Sequence, residues 1–327
     1  MKDLIANFSI QLKEAVAIGE SAKLTHNEYP IRNVLITGLG GSGIGGTIIA
    51  EIAADQSPVP VIINKDYFLP EFVNEETLLI VSSYSGNTEE TLCAMEIAIK
   101  RGAKLVCITS GGKVLDLAKD NGFDHIVVPG GMPPRSCLGY SFTQLLYVFN
   151  FFGLINDGFK ADLQKAIALL DVEEVNIQKD AMAIAKKLVN KVPIIYCVAN
   201  YEGVAIRLRQ QINENSKMLC WHHVIPEMNH NELVGWTEKS EHWAVVILRS
   251  DNDYERTQKR IEINKEVIKK YTDNITEIYS KGDSAIERSI YLIHLGDWIS
   301  WYLSELRNVD ATEVNVINYL KSTLAGS

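Results

Sequence analysis

Two periods of apolar residues run along the chain. Short runs recur at Val34 to Thr37 (VLIT), Val59 to Ile63, Leu78 to Val81, Leu105 to Thr109 and Ile126 to Val128. Runs of this length bounded by turn residues predict strands buried on both faces, the kind found in parallel sheets. Helical periodicity fills the gaps. It covers residues 1–24 (Leu4, Ile5, Phe8, Leu12, Val16), the glycine-rich stretch through Ala54, and a segment from Glu89 with Leu92, Met95 and Ile99 on one face. A short helix after Gly112 and another from Ser141 to Phe152 complete this half. The second half repeats the rhythm more loosely. Strands are expected at Ile194 to Val198, Leu219 to Val224, Ala244 to Leu248 and Ile275 to Tyr279. Helices are expected at Gly203 to Lys217, Asp253 to Tyr271, Ser284 to Leu306 and Thr312 to Leu324.

The alternation predicts an α/β protein of two doubly wound parallel-sheet domains, 1–153 and 154–327, with no Pro/Gly/Ser linker between them and so packed together. Hydrophobic residues make up 46% and charged residues 22% of the 327, a globular balance. The formal net charge of −9 and the lack of a Lys/Arg block argue against a nucleic-acid partner. No apolar run reaches the roughly 18 residues of a membrane span. The N-terminal stretch has acidic residues and no signal-peptide core. Cys93 and Cys107 sit in apolar runs and read as buried free thiols, which fits a cytoplasmic protein.

The chemistry concentrates at strand ends. Leu79 to Thr91 reads LIVSSYSGNTEET, a strand, a hydroxyl-rich turn and a helix start. Free backbone N–H groups and the positive end of a helix dipole favour an anion there, and Ser82, Ser83, Ser85 and Thr88 add donors. The turn is expected to seat a phosphate, with Gly86 admitting the ligand close to the backbone and Asn87 with Glu90 forming a capping box. The alternative is an ordinary capped turn. Gly38, Gly40 and Gly43 fit G-x-G-x-x-G, but the acidic residue that a dinucleotide needs after the next strand is absent: Ile63 is followed by Asn64 and Lys65. No cofactor is therefore expected, and Gly41 and Ser42 of this turn join the phosphate seat instead.

Arg135, stiffened by Pro133 and Pro134, follows the fifth strand at the edge where ligands bind in such sheets. It is a candidate to stabilise negative charge, or to make a surface salt bridge. Glu214 stands near the end of a predicted helix, where a carboxylate opposes the dipole, and a broken local rule marks a functional candidate. His230 lies in Asn229-His230-Asn231, between a strand and a helix, and is suited to proton transfer. His222, His223 and His242 lack metal-ligand spacing, so no metal site is expected.

Together GLGGSGIGG (38–46), SSYSGNTEET (82–91), PPRSCLGY (133–140), INENSK (212–217), PEMNHNE (226–232) and LGDWISWYLSELRNVDAT (295–312) resemble the bifunctional phosphoglucose/phosphomannose isomerase family, built from two sugar-isomerase (SIS) domains of flavodoxin-like type. The resemblance implies an aldose–ketose isomerase that interconverts glucose and mannose 6-phosphates with fructose 6-phosphate through a cis-enediol, without metal or redox cofactor. It implies Ser42, Ser83, Ser85 and Thr88 around the phosphate, Glu214 as base, His230 as ring-opening group and Arg135 on the intermediate, with Thr312 and Lys321 as C-terminal binding residues. It also implies a homodimer, for which the aromatic run Trp298, Trp301 and Tyr302 offers an apolar face. One departure is Ala311 in Asp310-Ala311-Thr312, where the family usually has proline. A non-catalytic sugar-phosphate sensor, or an isomerase of another phosphosugar, are the competing readings.

Overall fold

The structure is a computed structural model and describes residues 1–325. Strands form where the apolar runs predict them: β1 Asn33–Thr37, β2 Val61–Asn64, β3 Thr77–Ser82, β4 Lys104–Thr109 and β5 Asp124–Val127. They make one parallel sheet in the order β2-β1-β3-β4-β5. Central β3 is buried along its whole length, pairing Leu79 with Leu35 of β1 and with Leu105 of β4. The order reverses between β1 and β3, the place where open α/β sheets leave a crevice at the carboxyl ends of their strands. Helices α1 Lys2–Ala6, α2 Phe8–Ser21, α3 Gly40–Ile52, α4 Glu89–Lys100, α5 Gly112–Asp120 and α6 Leu138–Phe151 belong to this half of the sequence. Apolar α6, buried from Leu138 through Phe149, packs against α2 and α3.

Helix α7, Gly158–Leu188, is 31 residues long and lies in a stretch to which the apolar pattern assigned no element. Its signal was present. Phe159, Leu163, Ala166, Leu170, Ile177, Ala181, Ile184 and Leu188 are buried at helical spacing. Glu173 and Glu174 break the stripe between Leu170 and Ile177. In the fold that break is satisfied: Glu174 takes bonds from His294 Nε2 at 2.5 Å and Trp298 Nε1 at 3.1 Å.

The remaining elements are β6 Val192–Val198, α8 Glu202–Ser216, β7 Trp221–Ile225, β8 Trp243–Arg249, α9 Glu255–Ile268, β9 Ile275–Tyr279, α10 Ala285–Arg307 and α11 Asn315–Ala325. Their sheet is parallel, in the order β7-β6-β8-β9, the first sheet's arrangement without a fifth strand. By contacts the chain divides into two compact units, one of residues 6–172 and 282–291, the other of residues 1–5, 173–281 and 292–327. The division expected at 153/154 falls between α6 and α7. All five cysteines are free; Cys107 is buried, its thiol pushed up to about 12 by desolvation, whereas Cys93 is only half-buried because it lies off the apolar face of α4. Among the described residues no helix is long and apolar enough to cross a membrane.

One expectation about the surface changes. Trp298 is fully buried, T-stacked on Trp301 at 5.5 Å and stacked on Tyr302 at 5.6 Å. Tyr302 lies within reach of Gln178 of α7, and the ammonium of Lys2 sits over the Trp301 ring at 5.3 Å. Trp298 is thus interior to its own unit, because α7 supplies cover that the sequence pattern left out, while Trp301 and Tyr302 are half-buried.

Candidate active site

The candidate residues fall in both units. Gly41, Ser42, Ser83, Ser85, Thr88 and Arg135 belong to the first; Glu214, His230, Thr312 and Lys321 belong to the second. In the first unit the carboxyl ends of β1 and β3 bring the glycine-rich turn and the hydroxyl turn side by side. Ser82 Oγ donates to Ser42 O at 3.0 Å, and the Tyr84 N–H donates to Ser42 Oγ at 2.9 Å. Ser83 is buried, and its hydroxyl donates to Thr88 Oγ1 at 3.3 Å. Ser85 is exposed and accepts from the Asn87 N–H at 3.3 Å. Thr88 is the N-cap of α4, and no side chain caps its first turn. The first N–H groups of α4 therefore remain available to an anion, as the dipole argument expects.

Two expectations about this turn are corrected. Asn87 does not close a capping box with Glu90. Its Oδ1 accepts from the Lys113 N–H at 3.1 Å and so serves the start of α5, while its Nδ2 bonds Ser85 O. The N-cap of α4 is Thr88, so Asn87 lies one residue outside it and meets the neighbouring helix instead. Gly86 is needed at φ +67°, but the close neighbour is protein: a Cβ there would lie 1.7 Å from Gly111 O. The space that glycine opens is taken by the β4–α5 loop, not by a ligand. At Gly41 a Cβ would come within 3.0 Å of Arg135 Cα and Pro134 O, so the missing side chain lets the start of α3 dock on the arginine turn.

Arg135 sits in a short 3-10 turn, Pro134–Ser136, and is 4% exposed. The turn is held from below by Gln11, whose Nε2 donates to Ser136 O at 2.8 Å. Tyr84, in the middle of the hydroxyl turn, is a residue the motif reading passed over. Its hydroxyl donates to Pro129 O at 2.9 Å and accepts the Met132 N–H at 3.2 Å. Its carbonyl accepts from Ser110 N at 2.9 Å and Ser110 Oγ at 2.6 Å. Burial pushes the phenol above its ordinary value and keeps it a donor. Through its backbone N–H and carbonyl together with its hydroxyl, this one residue of the β3 turn ties in the loops after β1, β4 and β5. A large amphipathic ring among small hydroxyls was the available clue.

In the second unit Glu214 occupies the last turn of α8 and is half-buried. Lys217, left-handed at φ +54°, ends the helix. Its ammonium donates to Glu214 O at 2.6 Å and to Glu313 O at 2.8 Å. A cation at the negative end of the dipole offsets the cost of the neighbouring carboxylate and draws the 310–313 turn to the end of α8. Sequence reading quoted Lys217 only as part of a motif. Thr312 is exposed, and its N–H and hydroxyl bond Asp310 Oδ1 at 2.7 and 2.6 Å. These bonds hold the Asp310 carboxyl below its ordinary value and form the turn with alanine at 311. Lys321 is exposed on α11.

Helix α8 also makes a polar seam with α10. Arg207 pairs with Asp297 at 2.9 Å, Gln211 Nε2 bonds Asp297 Oδ1 at 2.9 Å, and Asn215 Nδ2 bonds Ser300 Oγ at 2.9 Å. Positions 207, 211 and 215 share one helix face, so the seam fixes the rotation of the helix that carries Glu214. His230 is exposed and closes the 3-10 turn Glu227–His230 after β7. Asn229 beside it bonds Asn264 Oδ1 of α9 at 2.6 Å.

The family profile described as "Bacterial phospho-glucose isomerase C-terminal SIS domain" matches residues 177–324. A bifunctional phosphoglucose/phosphomannose isomerase of Caldicellulosiruptor bescii is 41% identical over 99% of this chain and 99% of its own length. One from Thermoplasma acidophilum is 37% identical, covering 90% of each. Among solved structures, the C-terminal domain of glucosamine-fructose-6-phosphate aminotransferase from Francisella tularensis shares the fold, with a TM-score of 0.73 at 14% identity over 96% of both chains. Identity of this order over nearly the whole of both chains means that the chain belongs to the bifunctional phosphoglucose/phosphomannose isomerase family.

Proposed function

We propose that the protein is an aldose–ketose isomerase that converts glucose 6-phosphate and mannose 6-phosphate to fructose 6-phosphate and back, acting as a cytoplasmic homodimer. The observation that carries this reading is the similarity to curated isomerases over 99% of both chains.

The residues take the following parts. The uncapped first turn of α4, with Ser83, Ser85 and Thr88, holds the phosphate; Gly41 and Ser42 shape the same seat, and Thr312 and Lys321 contribute from the C-terminal region. His230 moves a proton between the ring oxygen and the anomeric hydroxyl to open the ring. Glu214 then takes the proton from C2 and returns it to C1. The electron pair left at C2 forms the double bond of a cis-enediol, and Arg135 stabilises the negative oxygen that develops. Glucose and mannose 6-phosphates differ only at C2, which becomes planar in the enediol, so one base serves both when rotation about C2–C3 turns either epimer's C2–H toward it and the pocket takes both hydroxyl positions. The reaction moves protons within one molecule and needs no oxidant, metal or nucleotide.

The test is a coupled assay for fructose 6-phosphate formation from each hexose 6-phosphate, run with chelator present. Formation from both is expected. Formation from neither, with sugar phosphate still bound, would make the protein a sensor instead. Activity lost to chelator and restored by zinc would overturn the metal-free mechanism.

A further inference from the structure

Glu232 lies two residues beyond His230 and opens the 3-10 turn Glu232–Gly235. Its carboxylate is bonded to both strands beneath it. Oε1 accepts from Tyr196 Oη of β6 at 2.6 Å and from Trp221 Nε1 of β7 at 3.2 Å. Oε2 faces His223 Nδ1 of β7 at 2.9 Å, and since a carboxylate only accepts, that nitrogen is the donor. Trp236, just past the turn, donates from Nε1 to Tyr196 Oη at 3.2 Å. Tyr196 is 1% exposed, so its hydroxyl has no water to turn to. On the near side the Glu232 N–H donates to Asn231 Oδ1 at 2.6 Å, and Asn231 Nδ2 donates to Glu227 Oε1 at 2.9 Å. The turn that carries His230 is thus clasped between its own first residue and a carboxylate anchored in the sheet. His230 itself is exposed, and its place is set through the backbone of this turn.

We infer that Glu232 is a positioning residue for His230: bonded by Tyr196, Trp221 and His223, it holds the 226–236 loop so that the imidazole meets the sugar ring. The inference rests on the ring-opening role proposed for His230. It assigns no contact between Glu232 and substrate. Removing its carboxylate frees the loop at the residue after Asn231 and leaves the buried Tyr196 hydroxyl without its acceptor, so the imidazole loses a fixed approach while the phosphate seat in the other unit is untouched. Ring opening slows, and the carbon-proton transfer at Glu214 does not.

The test compares Glu232→Ala, His230→Ala and the double variant on two substrates. One is glucose 6-phosphate. The other is a 4,5-dideoxy hexose 6-phosphate, which lacks the hydroxyls needed to close a ring. With glucose 6-phosphate, Glu232→Ala is expected to lower kcat about tenfold, less than the roughly 10²–10⁴-fold that a general acid–base group itself contributes, and to change KM less than about twofold. With the open-chain substrate its rate is expected to match the parent. In the His230→Ala background the second substitution is expected to cost nothing more, since a residue acting only through another is non-additive with it. Equal losses in both backgrounds, or on both substrates, would overturn the positioning role. Should Glu232→Ala fail to fold, Tyr196→Phe, which removes one donor and keeps the ring, is carried through the same comparison. A His230→Ala variant at full rate on glucose 6-phosphate overturns the ring-opening reading and the positioning role with it. A slow His230→Ala combined with additive Glu232→Ala loss overturns the positioning role alone.

Discussion

Ser85 and Thr88 stand at the mouth of an uncapped helix, one exposed and one half-buried, and so have hydroxyls to offer a ligand. Losing one neutral donor to a charged acceptor costs about 1.5–3 kcal/mol. Ser85→Ala and Thr88→Ala should each raise KM for the sugar phosphate by about tenfold or more; an unchanged KM in both removes the phosphate assignment. Glu214→Gln keeps the shape and removes the base. Incorporation of solvent deuterium at C2 of the aldose or C1 of the ketose should fall by roughly 10²–10⁴-fold. The rival acid is Glu227, exposed and bonded by Asn231 Nδ2 at 2.9 Å. If Glu214→Gln exchanges deuterium at the parent rate and Glu227→Gln does not, the base has been misassigned.

The two sheets share an order, yet only one carries the hydroxyl-rich turn proposed to hold the phosphate. After β8, the topological counterpart of β3, Asp253 Oδ2 accepts the Ser250 N–H at 3.0 Å. Arg249 beside it is buried, bonded to Glu277 and Glu262, with its guanidinium 5.3 Å from the Tyr279 ring centre. Acidic side chains of the chain itself stand at the strand end that corresponds to the proposed phosphate seat of the other unit. Helix α7 is the other lesson at this scale. Its stripe is recoverable from spacing alone, but Glu173 and Glu174 interrupt it, and the polar face reads as a connection. Ile177 is fully buried in that stripe, so Ile177→Ala should cost about 2–5 kcal/mol in urea unfolding. A loss under about 1 kcal/mol would mean that α7 is not part of the core.

Across the whole chain, acid should weaken the fold. Burial raises Glu174, but the bonds from His294, Gln178 and Trp298 outweigh it and hold the carboxyl below its ordinary value of 4.5. Lys13 holds Asp171 low, and Lys265 holds Glu262 low despite some burial. A carboxyl depressed in the folded state adds stability above its unfolded pKa and loses it as pH falls through the folded one. The urea midpoint should therefore be flat near neutrality and decline below about pH 4.5. Glu174→Gln should lower the midpoint at pH 7 and make the acid decline shallower; an unchanged acid slope would remove Glu174 from the account. The proposed homodimer rests on the family resemblance, since Trp298 is covered by its own chain and Trp301 and Tyr302 are half-buried. Light scattering at full activity should return twice the chain mass; a single-chain mass ends the idea.

What the chain by itself determined were the features set by neighbours in sequence. Apolar run length marked every strand, hydroxyls next to a strand end marked the candidate anion turn, and a carboxylate at a helix end marked Glu214 as a candidate base. These depend on backbone geometry and dipoles that act over a few residues. Tertiary structure decided what depends on partners far along the chain. Asn87 could cap its own helix or α5, and the fold gave it to Lys113. Gly86 could face a ligand or a loop, and Gly111 took the space. Trp298 could face a partner or α7, and α7 covered it. Glu232 was one acid in a polar motif until β6 and β7 placed three donors around it. A side chain's chemistry is local, but which group satisfies it is settled by packing, because a buried polar atom bonds whatever the fold brings within about 3 Å.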